Sequence, residues 1–304
     1  MCAVRSDAPA PTPDPWAGAG SSTVEHLTLD VAGQRFYAAA AGPSDGPLVL
    51  LLHGFPEMSY GWRHQIWPLA HAGLRVVAPD QRGYGHSAKP PSVSDYRLDT
   101  VADDAIGLAR ALGRERFHVV GHDWGGIVAW HLAAHRPAHV DKLAILNAPS
   151  LAGFASYMRA HPGQVLMSAY IAAFQVPVLP EIALRARRFA ALTTALRSTS
   201  RVGTFSGGEL DVYRRAWAEP GALTGMLQWY RALRHAPRAG DARIAAPTLV
   251  IWGDRDVALQ KGLADHCALA CDDVRVVHLA DAGHWLQHEE PKHVNALLVD
   301  FLAA

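Results

Sequence analysis

The chain has 304 residues, half of them hydrophobic, and its 28 basic residues are balanced by 28 acidic ones. That is enough for one large core, or for a core with an inserted subdomain, and the neutral balance gives no reason to expect nucleic acid as a partner. Three cysteines, Cys2, Cys267 and Cys271, make neither a disulfide framework nor a zinc pattern, and the 17 histidines include no His-Glu-x-x-His run, so no metal and no cofactor is expected.

Residues 1–22 are rich in Pro, Ala and Gly and lack the basic start and continuous apolar centre of a secretory signal. They read as a flexible tail, packing at most as a loose arm. No run reaches the roughly 18 apolar residues of a membrane span. The simplest expectation is a cytoplasmic protein; whether it forms a homodimer is left open.

From Val24 to Leu29 and from Gln34 to Ala40, apolar residues flank Asp30 and Gly33, which reads as a hairpin. Leu48 to Leu52 is apolar at every position, as in a strand covered on both faces of a parallel sheet. It runs into His53-Gly54-Phe55-Pro56-Glu57. A helix candidate spans Trp62 to Ala72, interrupted or restarted at Pro68, and Arg75 to Ala78 is the next strand. The loop Asp80-Gln81-Arg82-Gly83-Tyr84-Gly85-His86-Ser87 has glycines, but their spacing is neither that of a dinucleotide fingerprint nor that of a P-loop. Leu98 to Leu112 has helical spacing and stops at Gly113.

Phe117 to Val120 then feeds Gly121-His122-Asp123-Trp124-Gly125, and the apolar run Ile127 to His135 follows as a helix closed by Pro137. Strand, glycine-flanked turn and helix make a nucleophile elbow, with aspartate where serine is usual. A carboxylate there can attack a saturated carbon and leave an alkyl ester, which water must hydrolyse. Val140 to Leu146 is one more strand, ending at Asn147.

The alternation of strands and helices breaks after Pro149. Helical spacing prevails in Pro162 to Ala173, Leu179 to Ala195, Glu209 to Ala218 and Gly221 to Leu233. Residues 150–239 are therefore expected to form a helical cap between two parts of one core, residues 23–149 and 240–304. Such a cap would exclude water and bury a small apolar substrate. Alternation resumes with a strand at Pro247 to Trp252, a helix at Leu259 to Ala268, a strand at Val274 to Leu279 and a closing helix at Pro291 to Leu302.

The later loops supply partners for Asp123. Gly253-Asp254-Arg255-Asp256 follows one strand, and Gly283-His284-Trp285 follows the last. Nucleophile, acid and histidine in that chain order match the order in α/β-hydrolases. His284 would be the general base, oriented by Asp256; Asp254 is the competing acid. Backbone N–H groups of Trp124 and Phe55 are the expected oxyanion hole.

The His53-Gly54-Phe55-Pro56-Glu57, Gly83-Tyr84-Gly85, Gly121-His122-Asp123-Trp124-Gly125-Gly126, Gly253-Asp254-Arg255-Asp256 and Gly283-His284-Trp285 motifs resemble those of the α/β-hydrolase-fold epoxide hydrolases from about Val24 to the C-terminus. The resemblance implies a mostly parallel eight-stranded sheet flanked by helices, with an inserted helical cap. It also implies cofactor-independent hydrolysis of a small apolar epoxide to a vicinal diol, an activity associated with detoxification. In that family two cap tyrosines face the epoxide oxygen. The segment Leu227-Gln228-Trp229-Tyr230-Arg231 resembles the one that carries the first, and Tyr170 to Gln175 the region that carries the second, which implies Tyr230 and Tyr170, with Tyr157 as the fallback.

Haloalkane and haloacetate dehalogenases share the aspartate elbow and are the alternative. Phe55 stands where the former favour a halide donor, and Trp124 where the latter resemble His-Asp-Arg. Asn147, at a strand end where some dehalogenases carry the acid, cannot ionise. A non-catalytic small-ligand sensor on the same scaffold would not need the triad, and a plain esterase is disfavoured because a carboxylate nucleophile would form an anhydride.

Overall fold

The computed structural model describes Trp16, residues 24–235 and residues 242–304. The expected tail at 1–22 lies outside the described residues except for Trp16, which is buried edge-on against Tyr60 at 5.6 Å between ring centroids. The expected cap boundary at 239 also lies outside them.

Strands β1 (Glu25–Val31) and β2 (Gln34–Ala41) form the hairpin. β3 (Leu48–Leu52) follows, with all five residues buried, then the short helix α1 (Ile66–His71) and β4 (Arg75–Pro79). The expected helix from Trp62 to Ala72 is thus divided: Trp62 ends a 3₁₀ turn begun at Ser59, and α1 carries Pro68 within its first turn, where a missing N–H costs no helical bond. α2 (Leu98–Ala111), β5 (Phe117–His122), α3 (Trp124–His135) and β6 (Val140–Leu146) complete the first part of the core. α3 is apolar nearly all round because it lies against the centre of the sheet, with ten of its twelve residues buried.

Helices α4 (Leu151–Ala160), α5 (Pro162–Met167), α6 (Tyr170–Phe174), α7 (Leu179–Ser198), α8 (Gly207–Ala218) and α9 (Ala222–Ala232) form the insertion. α4 had no counterpart in the helical spacing. Its Gly153 is selected by a close approach instead, since a Cβ there would stand 2.6 Å from Cys267 Sγ. The single helix expected over 162–173 is two short ones, separated at Ser168 and Ala169, and α7 is broken at Ala186 to Phe189.

The chain then returns to the core with β7 (Thr248–Gly253), α10 (Gly262–Ala268), β8 (Val274–Leu279), α11 (Leu286–Glu289) and α12 (Pro291–Leu302). The eight strands lie in the order β1-β2-β4-β3-β5-β6-β7-β8. β2 pairs antiparallel with both neighbours, and the pairs from β4 to β8 are parallel. This is an α/β-hydrolase fold with an inserted helical cap, and the carboxyl ends of β3, β5, β7 and β8 open on one edge under that cap.

Two cap helices are fastened to the core. In α8, Trp217 Nε1 donates to the Pro56 carbonyl at 2.6 Å and Arg63 pairs with Glu209 at 2.7 Å. α9 lies directly on the glycine loop after β4, where a Cβ on Gly225 would meet the Gly83 carbonyl oxygen at 2.5 Å. Trp229 Nε1 donates to the Arg82 carbonyl beside it at 2.9 Å. The Gly83-Tyr84-Gly85 loop is therefore a seat for α9, and through α9 it sets where Tyr230 stands.

Candidate active site

Asp123 occupies the turn between β5 and α3 with φ 50° and ψ −121°, a conformation that few side chains tolerate. Its surroundings are cleared of side chains. A Cβ on Gly125 would lie 2.0 Å from the Leu52 carbonyl oxygen, and one on Gly54 would lie 2.3 Å from Asp123 Cβ. These clearances let the loop after β3 come close enough for the Phe55 N–H to donate to Asp123 Oδ1 at 2.8 Å. Trp124 is the first residue of α3, so its N–H belongs to the set that an α-helix leaves without an internal acceptor. Both expected hole donors, Phe55 and Trp124, are thus adjacent to the nucleophile candidate.

His284 reaches the same place from the loop after β8. Its Nε2 is 3.7 Å from Asp123 Oδ2, and its Nδ1 is 2.7 Å from Asp256 Oδ2. Burial works against the imidazolium, but the Asp256 carboxylate, then the charge of Asp123, outweigh it and lift His284 to about 9. Asp256 is itself buried, and four donors satisfy it. Ala258 and Leu259 give their N–H groups to Oδ1 at 2.7 and 3.0 Å, while His284 and Asn147 share Oδ2. Burial would raise its pKa, and the His284 and Asn147 contacts bring it below the ordinary value.

The choice between the two loop aspartates is decided by direction. Asp254 turns away from Asp123, accepting from His278 Nδ1 at 2.6 Å and lying 3.8 Å from Lys261 Nζ. Asp256 alone of the two meets His284.

The two cap tyrosines also converge. Tyr230 packs edge-on against the Trp124 ring at 5.0 Å and against Phe55 at 5.3 Å, and Tyr170 stands 6.1 Å from it, centroid to centroid. Burial raises both phenols above their ordinary range, and the negative charge of Asp123 adds to the rise. Tyr170 exposes 42 % of its surface as a residue, yet its hydroxyl end is the buried part. Tyr157, the fallback, stacks on His161 at 3.7 Å and lies beside α10 instead.

Residues 47–291 match the family model for the alpha/beta hydrolase fold. The chain is 35 % identical to epoxide hydrolase 4 of Mus musculus, a match that covers 99 % of this chain and 84 % of that one. The chain belongs to the α/β-hydrolase-fold epoxide hydrolases. It is also 44 % identical to the AB hydrolase superfamily protein YfhM of Bacillus subtilis, over 90 % of this chain and 96 % of that one. Among solved structures, one described as a novel epoxide hydrolase from metagenomes of hot environments superposes with a TM-score of 0.82 at 34 % identity, covering 92 % of this chain and 99 % of that one.

This epoxide hydrolase has site residues that the motifs did not single out. Asn147, with φ 38° at the end of β6, donates from Nδ2 to Asp256 Oδ2 at 2.5 Å and accepts the Gly253 N–H at 2.7 Å. It braces the acid where a carboxylate would repel it. Glu57 is wholly buried behind the elbow, where it accepts from Tyr213 at 2.5 Å, His288 at 2.7 Å and Gln287 at 3.0 Å. Burial alone would raise this carboxyl, and the His288 and His122 imidazoles hold it well below its usual range. His122 in turn bonds through Nε2 to the His284 carbonyl at 2.9 Å. Glu57 and His122 were visible as polar letters inside recognised motifs, but only their burial shows that they need partners.

A groove of about 1080 Å³ lies between α4 to α6 and α10. Leu151 and Leu233 line both this groove and a small void of about 20 Å³ beside Trp124 and Trp229. Among the described residues no group of three His, Cys, Asp or Glu side chains is arranged to hold a metal, and no single helix is long and apolar enough to cross a membrane.

Proposed function

We propose that the enzyme hydrolyses a small apolar epoxide to a vicinal diol through a covalent ester on Asp123. The observation that carries this is the convergence of two cap tyrosines, Tyr170 and Tyr230, with ring centroids 6.1 Å apart, close enough to Asp123 for its charge to act on both phenols. An opening epoxide develops alkoxide charge on its oxygen, and two phenol donors in a site of low polarity stabilise it.

In the first step Asp123 Oδ2 attacks an epoxide carbon, the carbon–oxygen bond breaks, and Tyr170 and Tyr230 supply hydrogen bonds and a proton to the departing oxygen. Oδ1, held by the Phe55 N–H, becomes the ester carbonyl oxygen. His284, lifted to about 9, is protonated at neutral pH while Asp123 is charged. Ester formation removes that charge and lowers the proton affinity of Nε2, so the imidazolium gives up its proton, the tyrosine that protonated the epoxide oxygen regains one, and neutral Nε2 is left as the base. Water then gives its proton to Nε2 and its oxygen attacks the ester carbon. The tetrahedral oxyanion sits between the Phe55 and Trp124 N–H groups, the acyl carbon–oxygen bond breaks, the departing oxygen takes the carboxyl proton, and the diol leaves as Asp123 regains its carboxylate.

The groove at α4 to α6, ending at Leu151 and Leu233, is the route by which an apolar substrate enters. The balanced charge supports a small-molecule substrate rather than a polyanion. Cytoplasmic residence and a homodimer belong to the same proposal, checked by cell fractionation and by sedimentation.

The test is diol formation from terminal, aromatic and trans-disubstituted epoxides beside halide release from haloalkanes and haloacetate. Single turnover in ¹⁸O water should leave label in the Asp123 carboxylate. Halide without diol, full turnover by Asp123→Ala, or an unlabelled carboxylate would each overturn the proposal.

A further inference from the structure

Gln164 in α5 is fully buried, an unusual place for a primary amide unless each polar atom is served. Its Nε2 donates to the Ala258 carbonyl at 2.8 Å and to Ser168 Oγ at 3.1 Å, and its Oε1 accepts the Gln260 N–H at 2.8 Å. The acid of the proposed triad uses the same short loop: Asp256 Oδ1 takes the N–H groups of Ala258 and Leu259. Peptide groups of residues 258–260 are therefore divided between Asp256 on one side and a cap side chain on the other. Ser168 lies two residues before Tyr170, at the break between α5 and α6. One amide thus grips both the loop of the acid and the segment of a proton donor.

We infer that Gln164 is a positioning residue that locks the Asp256 loop to the cap segment carrying Tyr170, so that the acid–base pair and the epoxide-oxygen donor are set in register together. The inference rests on the roles proposed above for Asp256, His284 and Tyr170. An outward shift of α5 would strip the Ala258 carbonyl and the Gln260 N–H of their partners. The loop would loosen, and Asp256 would hold His284 less firmly.

Gln164→Met keeps the size and removes every hydrogen bond; Gln164→Glu keeps the acceptor for Gln260 but sets a carboxylate against the Ala258 carbonyl. The alkylation and ester-hydrolysis rates are measured separately by rapid quench, with the esterified Asp123 peptide followed by mass, from pH 5 to 10. Thermal unfolding shows that each variant is folded. The titratable groups around His284 are Asp256, Asp123, Glu57, Glu289 and the His122 ring; Gln164→Met adds none, whereas Gln164→Glu adds a carboxylate, so the pH midpoint is read on Gln164→Met and the rates on both.

The expected result is that Gln164→Met slows hydrolysis about tenfold or more and slows alkylation as well, because the Asp256 loop and the Tyr170 segment both lose a supporting contact. The midpoint of the hydrolysis pH profile should move to lower pH in Gln164→Met, and the rates of Gln164→Glu should fall between those of Gln164→Met and wild type. If Gln164→Met does not fold, the alkylation and hydrolysis rates of Gln164→Glu decide the question. Wild-type rates and midpoint with only a lower Tm, or slowing of one step alone, would overturn the inference. Asp256→Asn keeps the two levels apart. If it leaves hydrolysis intact, the triad reading fails; if it slows hydrolysis while the Gln164 variants do not, the inference alone fails.

Discussion

Replacing Asp256 by Asn removes the charge that holds His284 as imidazolium while keeping the size of the side chain. His284 rises from its ordinary 6.5 to about 9, and Asp256 is the largest of the effects that raise it. At ~1.4 kcal/mol for each tenfold change in proton affinity, that rise is worth about 3 kcal/mol of imidazolium stabilisation. Imidazolium forms in the transition state of ester hydrolysis, so Asp256→Asn should slow that step by on the order of 10²-fold. Alkylation, which uses Asp123 and the tyrosines, should change much less. Quenched single turnovers should therefore show the Asp123 ester accumulating where wild type shows little. Stability should report the same interaction. A histidine whose pKa is raised on folding contributes stability fully below pH 6.5 and loses it as the pH climbs through about 9, so the wild-type Tm should decline across that window for this group. The decline should shrink in Asp256→Asn. Hydrolysis slowed by less than about fivefold, or a wild-type Tm profile in the variant, would refute the reasoning.

Other substitutions probe the cap and the core. Tyr230→Phe should slow alkylation by about 10²-fold through loss of one donor to the developing alkoxide, and Tyr170→Phe combined with it should abolish the ester burst seen on quenching. Tyr213→Phe removes a donor to the buried Glu57 and should cost roughly 1.5–3 kcal/mol, read as a lower urea midpoint with an unchanged slope. Arg82→Leu leaves the buried Asp104 without its bidentate partner at 2.6 and 2.7 Å and should cost about 3–5 kcal/mol by the same measurement.

The core was legible because its signals are local. Leu48 to Leu52 and Val140 to Leu146 match their strands to the residue, as Pro291 to Leu302 matches α12. The elbow was legible for the same reason, since its glycines and its aspartate lie within a few positions of one another. Asp256 and Asp254 could not be separated by such means. They share a loop, and only the three-dimensional path of that loop turns one toward His284 and the other toward His278. In the cap, short helices such as α5 and α6 are specified by what they touch rather than by their own periodicity, which is why one helix was expected where two exist. Glu57 and Gln164 carry no sequence signature of burial. Their partners come from strands, loops and helices far along the chain, as when Glu57 meets Gln287 across 230 residues.

The return of the chain from the cap to β7 and β8 gives the molecule a chronology. Every group assigned to forming the ester, from Phe55 and Asp123 to Tyr170 and Tyr230, has been synthesised before β7 begins at Thr248. Asp256 and His284, proposed to release the product, come after it. The part of the polypeptide made first describes a single-use reagent, an alkyl acceptor that would be spent by one encounter. The last fifth would make it a catalyst, and it is locked in place where His122, next to Asp123, bonds the His284 carbonyl across 162 residues.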